Sequence, residues 1–198
     1  MSPERIRERY AALLEEVGAG VTVVAATKYV SLEEMAALAE AGITVVGENR
    51  AQDLRAKHAV YGDAFRWHFI GHLQSRKAAV VNETCELVHS LDSLSAARRL
   101  DVPALVQVNL SGEESKSGIA PEHLEAFLDE CPADVVGLST MPPLADDPEA
   151  SRPHFRRLRE LAETTGLAQL SMGTTQDYRV AVDEGATLVR VGTLLWRG

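Results

Sequence analysis

The sequence predicts a closed (β/α)8 barrel of parallel strands behind an extra amino-terminal helix, and three observations lead there. Eight short apolar or β-branched runs alternate with amphipathic helical stretches over nearly the whole chain. Strict strand–helix alternation implies parallel strands joined by crossover helices, and eight repeats imply closure rather than an open sheet. The turn after the first strand, Thr27-Lys28-Tyr29-Val30-Ser31, lacks GxGxxG, so the dinucleotide fingerprint of the open doubly wound fold is missing. The chain of 198 residues is compact for a barrel that typically takes about 250. Short loops and one domain over residues 1–198 are therefore expected, with 1–20 as the leading helix and 21–198 as the barrel.

Ser2 and Pro3 start the leading helix as cap and first-turn proline, Ile6, Tyr10, Leu13, Leu14 and Val17 recur at helical spacing, and Gly18 and Gly20 end it. The predicted strands run from Val21 to Lys28, Thr44 to Asn49, Arg66 to Gly71, Leu87 to Asp92, Ala104 to Leu110, Val135 to Met141, Ala168 to Gly173 and Thr187 to Thr193. Helices are predicted from Ser31 to Glu40, Ser93 to Leu100, Pro121 to Glu130, Pro148 to Thr165 and Gln176 to Glu184, with Gly42, Gly166 and Gly185 as stops. The last strand is read without a helix after it. Met141-Pro-Pro-Leu-Ala-Asp-Asp-Pro148 reads as a loop.

Charge and cysteine content narrow the function classes. Twenty-nine acidic against 20 basic residues give −9, which argues against wrapping nucleic acid or coating an anionic membrane. The stretch from Ser2 to Tyr10 is charged and lacks a signal peptide's apolar centre, and no apolar run is long enough to span a bilayer, so a cytoplasmic protein is expected. Cys85 and Cys131 lack CxxC spacing, and His68 and His72 straddle a strand–loop junction, so no metal site is expected.

In such a barrel the loops after the strands form the active face. The first strand ends on Lys28. An ammonium at the end of a buried strand is costly to desolvate, and a lysine that loses its proton becomes a nucleophile able to form Schiff bases with carbonyl compounds, pyridoxal phosphate among them. A surface lysine ending a strand is the other reading. Gly173-Thr174-Thr175 and Gly192-Thr193, after strands seven and eight, offer backbone N–H groups, close approach and hydroxyls where a phosphate is often held. Strand alternation points Arg190 into the barrel, either paired with an internal acid or donating to an acceptor such as a pyridine nitrogen. An always-charged donor would leave that nitrogen unprotonated and the ring a poorer electron sink. Asn49 is placed to bond a ring oxygen or to cap the next helix, and Ala26 and Gly47 are read as leaving room for a flat ring.

The segments Ala26-Thr-Lys28, Val46-Gly-Glu-Asn49, Trp67-His-Phe-Ile-Gly-His-Leu-Gln74, His89-Ser-Leu-Asp92, Val108-Asn109, Lys116-Ser-Gly118, Gly137-Leu-Ser-Thr-Met141, Leu170-Ser-Met-Gly173 with Asp177, and Val189-Arg-Val-Gly-Thr193 resemble, in order, the pyridoxal phosphate homeostasis proteins (the YggS/PROSC family). The resemblance implies a fold-type III barrel like the amino-terminal domain of alanine racemase, without that enzyme's second domain. It implies that Lys28 holds pyridoxal 5'-phosphate (PLP) as an internal aldimine, that Asn49 lies beside the ring and Arg190 at its nitrogen, and that Thr175, Gly192 and Thr193 form the phosphate cup, with Ser171 in the same motif. Thr175 stands where the family usually has serine and keeps the hydroxyl. Thr174 replaces a usual methionine, Arg76 a common asparagine, and Tyr29 after the lysine is a further departure.

The family is similar in binding PLP and influencing vitamin B6 and amino-acid homeostasis without well-established turnover. A racemase needs a base on each face of the substrate carbon, and this chain has no residues left for the domain that supplies the second. A monomeric carrier or regulator of PLP, with PLP-dependent apo-enzymes as candidate partners, is thus expected ahead of an enzyme. The alternatives are a weak amino-acid racemase using Lys28 as its base, and a sugar-phosphate isomerase or aldolase, for which Ser139-Thr-Met141 offers no carboxylate.

Overall fold

Eight parallel strands close on themselves in sequence order in a computed structural model that describes residues 2–113 and 117–196. They are β1 (Thr22–Ala26), β2 (Val45–Glu48), β3 (Arg66–Phe69), β4 (Leu87–Leu91), β5 (Ala104–Gln107), β6 (Val135–Ser139), β7 (Gln169–Thr174) and β8 (Leu188–Val191). The seam pairs Thr22 with Leu188 and Val24 with Arg190, so the fold is the predicted TIM barrel. Lys116 of the Lys116-Ser-Gly118 segment lies outside the described residues.

Seven of the eight predicted strands reach past the observed carboxyl ends, and the reason is functional geometry. Thr27 still donates its N–H to the Gly47 carbonyl at 3.0 Å, but Lys28 and Asn49 have left the ladder and turn across the mouth. Inside the barrel Val24, Val45, Leu87, Leu105 and Leu188 pack together, while Val23, Ala25, Val46, Trp67 and Phe69 face outward into the layer shared with the helices. The strand parity read from sequence therefore holds. Burying these two apolar layers is the main driving force for closure, at about 25 cal/mol per Å2 of apolar surface.

The leading helix α1 (Pro3–Val17) buries Ile6, Tyr10, Leu13 and Val17 and ends where Gly18 takes a φ of 81°, whereas Leu14 remains exposed. Ser2 does not cap it through its side chain, because its hydroxyl is engaged by the Glu4 carboxylate at 2.5 Å. Of the remaining helices, α2 (Met35–Glu40) begins one turn later than predicted. Ser31 and Glu34 form a reciprocal capping box ahead of it, Ser31 N–H to Glu34 at 2.8 Å and Glu34 N–H to Ser31 Oγ at 3.3 Å. Next come α3 (Ala51–Tyr61) and α4 (Ala78–Thr84), which the periodicity did not bound. The inner face of α3 carries Ala51, Leu54 and a buried lysine, Lys57, which interrupts its apolar stripe.

The chain continues with α5 (Leu94–Ala97), α6 (Leu124–Glu130), α7 (Arg152–Thr165) and α8 (Tyr178–Asp183). One further short helix, α9 (Thr193–Trp196), follows β8, where none was expected. The α1 helix packs on α2 and α9, and its Glu16 accepts a hydrogen bond from Tyr178 of α8 at 2.8 Å. Among the described residues no helix is long and apolar enough to cross a membrane.

Candidate functional site

The turns after β1, β2, β7 and β8 meet around a cleft of about 540 Å3 at the carboxyl mouth of the barrel. Lys28, Asn49, Thr175, Arg190, Gly192 and Thr193 all line it, as do Ala26, Tyr29, Ile70, Met141 and Trp196. Thus six of the seven site residues read from sequence share one wall-to-wall space. The seventh, Ser171, is fully buried beneath it and touches Arg190 instead.

Lys28 is exposed in the turn after β1, so of the two readings of its position, buried or at the surface, the surface one holds. Its ammonium stands 5.0 Å from the centroid of the Tyr29 ring. The buried lysine of this region is Lys57, and it braces the residue before Lys28. Lys57 Nζ donates to the Thr27 carbonyl at 2.9 Å and lies 2.5 Å from Glu48 Oε1, which also accepts from Thr27 Oγ1 at 2.6 Å. Thr27 and Glu48 are fully buried, so the turn that presents Lys28 stands on a rigid polar base.

Arg190 enters from β8, inward-facing as its parity requires. Nη1 donates to the Ser171 carbonyl at 3.2 Å and to Ser171 Oγ at 2.8 Å, and Nη2 donates to the Thr140 carbonyl at 2.7 Å. Among the described residues it makes no ion pair with an internal acid, and its Nε is buried without a partner. Burial pushes its pKa down to about 10, so it remains charged at neutral pH.

The β7 end is shaped by Gly173. Its φ of 89° coincides with a register shift against β8, and a Cβ there would lie 2.6 Å from Ala181 Cβ, so only glycine permits this turn beneath α8. Asp177 then takes the Thr174 N–H at 2.7 Å and the Thr174 hydroxyl at 3.0 Å, and accepts from Ser151 at 2.8 Å. Thr174 is thereby occupied, while Thr175 Oγ1 turns to the Gly192 N–H at 3.3 Å across the cleft. Thr193 begins α9 rather than closing β8, and the first N–H groups of a helix lack intrahelical partners. The Thr175 hydroxyl, the Gly192 amide that it engages and the start of α9 thus line one part of the cleft.

Two other sequence readings resolve. No side chain caps α3, so Asn49 is not its cap and is left to line the cleft. Gly47 does not open space for a ring: a Cβ there would fall 2.9 Å from Val24 and 3.0 Å from Ile70, so it serves interior packing. Periodicity missed Glu48 and Lys57, although a charged residue inside the apolar stripe of a helix is itself a signal of a buried partner. Among the described residues no group of three or more His, Cys, Asp or Glu side chains could hold a metal ion.

The alanine racemase N-terminal domain family matches residues 1–198. A pyridoxal phosphate homeostasis protein of Aquifex aeolicus is 38% identical, with 97% of this chain and 94% of the relative covered. The chain belongs to the pyridoxal phosphate homeostasis protein family. Another relative of that name, from Pseudomonas aeruginosa, is 41% identical over 79% of this chain and 75% of its own. Among solved structures, PipY of Synechococcus elongatus with PLP bound is 32% identical with a TM-score of 0.88, covering 96% of this chain and 99% of PipY. An arginine decarboxylase of Paramecium bursaria Chlorella virus, 12% identical with a TM-score of 0.76, shares the barrel fold alone.

Proposed function

We propose that the protein binds PLP in the carboxyl-mouth cleft, bonded covalently through Lys28, and serves PLP and amino-acid homeostasis as a carrier or regulator without efficient turnover. The observation that carries this reading is the buried, unpartnered Nε–H of Arg190 on the cleft wall. A buried donor left without an acceptor costs on the order of 1–3 kcal/mol, and a pyridine nitrogen supplies the acceptor it lacks. Thr175 Oγ1, the Gly192 N–H and the start of α9 suit the phosphate, and Asn49 suits a ring oxygen. PLP supplies a reactive aldehyde and an electron-withdrawing ring; the chain supplies the amine and the polar cradle.

The same residues favour holding over turnover. A charged arginine would donate to a ring nitrogen without giving up its proton, and a ring left unprotonated would be a poorer electron sink. The exposure of Lys28 would leave a cofactor held there accessible from solvent, as exchange with a PLP-dependent apo-enzyme would require. The test is an absorption spectrum of wild type and Lys28→Ala with added PLP, before and after borohydride, with mass analysis of the Lys28 peptide. A visible band fixed by borohydride onto Lys28 and missing in the variant is expected. A wild-type protein that takes up no PLP overturns the reading.

A further inference from the structure

Behind Arg190 a string of polar side chains runs through an interior that is otherwise aliphatic. Ser171 Oγ lies 2.8 Å from Arg190 Nη1, His89 Nδ1 lies 2.7 Å from Ser171 Oγ, and His68 Nδ1 lies 2.9 Å from His89 Nε2. All four residues are buried. His68 reaches a second cleft, of about 350 Å3, whose lining includes Thr22, Leu87 and Thr187 at the opposite mouth of the barrel. Neighbouring interior positions are Val24, Val45, Leu105 and Leu188, so polar groups here forgo the apolar packing the barrel uses elsewhere.

The donors can be ordered. Arginine only donates, so Ser171 Oγ accepts from Nη1. The Ser171 hydroxyl hydrogen then finds its acceptor in His89 Nδ1; were His89 to donate instead, that buried hydrogen would have no acceptor. His89 therefore carries its hydrogen on Nε2 and donates to His68 Nδ1, and His68 presents its own N–H toward the second cleft. The string runs one way from the guanidinium. Burial keeps both rings neutral, holding His68 at about 4 and His89 well below the ordinary range, as an accepting His89 requires.

We infer that Ser171 and His89, backed by His68, are positioning residues that lock the guanidinium plane of Arg190 and thereby aim its Nε–H at a ring acceptor, making the site selective for a ligand with a lone pair at that ring position. This rests on the PLP reading of the cleft. Without the Ser171 hydroxyl, Nη1 keeps only its longer bond to the Ser171 carbonyl, and the plane is held less tightly about the Thr140 contact.

The experiment compares uptake of PLP with uptake of its 1-deaza analogue, in which a C–H replaces the ring nitrogen, by absorbance and by borohydride trapping at Lys28. Wild type is expected to prefer PLP by about tenfold, the worth of one charge-assisted hydrogen bond. In Ser171→Ala and His89→Leu the preference should fall to about twofold, and His89→Asn, which keeps an acceptor toward Ser171, should restore most of it. Should His89→Leu not fold, Ser171→Ala decides, since it removes a single oxygen. Folded variants that retain the wild-type preference overturn the positioning role while leaving the PLP site intact. A wild type that binds neither compound overturns both.

Discussion

Lys57 and Glu48 form a buried ion pair, Nζ to Oε1 at 2.5 Å, with side chains 7% and 0% exposed, directly behind the turn that carries Lys28. The pair is incomplete by its own logic, for Glu48 Oε2 has no partner. Removing the cation leaves a buried carboxylate with only Thr27 to answer it, so Lys57→Met should cost about 3–5 kcal/mol in urea unfolding. Adding Glu48→Leu should recover most of that loss, because two apolar side chains can fill the space a charge pair held. The double variant should nonetheless take up PLP more weakly than wild type, since the Thr27 carbonyl loses its brace.

The interior histidines set an acid limit on the fold. His68 is held at about 4 against an ordinary 6.5, with burial as the main cause, and His89 is shifted the same way. The unfolded chain therefore binds protons that the folded chain refuses. Their contribution to stability is complete above about pH 6.5 and is lost as pH falls from there through 4, at up to about 1.4 kcal/mol per pH unit for each ring. Urea midpoints of wild type and His68→Gln measured between pH 7.5 and 4.5 should converge as pH falls. Parallel curves would rule the histidines out as the source.

How much of this was legible in the sequence follows from what each pattern depends on. Strand order and facing rest on a period of two in local apolar residues, so the barrel and the inward direction of Arg190 could be read directly. Lys28, Asn49, Thr175 and Gly192 could be placed because position after a strand determines position at the mouth. Pairings across the barrel were not legible. The contact of Ser171 with His89 joins residues 82 apart, and that of Lys57 with Thr27 joins residues 30 apart, so no window contains either. Whether Lys28 is buried or at the surface was not legible, because a strand's last residues leave the ladder where the chain turns across the mouth, and exposure changes within two residues: Thr27 is buried and Lys28 is not.

The two thiols should behave differently. Cys85 is buried between α4 and β4, and burial pushes its pKa up to about 12, so almost no thiolate exists at neutral pH. Cys131, at the end of α6, is partly accessible. Titration with a thiol-specific chromogenic disulfide at pH 8 should modify Cys131 alone in the native protein and both residues in denaturant. Fast modification of Cys85 without denaturant would mean that the α4–β4 packing opens far more readily than its burial implies.

Gly173 is the residue on which the proposed phosphate cup turns. Its φ of 89° is strained for any L side chain, and an added Cβ would meet Ala181 Cβ at 2.6 Å and Tyr178 Cα at 2.9 Å, contacts that backbone movement alone can relieve. Left-handed strain and overpacking together put the cost of Gly173→Ala at about 2–4 kcal/mol. The movement would carry the Thr174–Asp177 turn away from Gly192, so Thr175 Oγ1 would no longer meet the Gly192 N–H. PLP affinity should therefore fall by more than about tenfold even at temperatures where the variant is fully folded. Gly20→Ala is the matched control, because no atom lies within 4 Å of its added Cβ and its φ is not left-handed. Unfolding and PLP titrations of the two variants side by side separate the conformational demand at Gly173 from any general cost of replacing glycine.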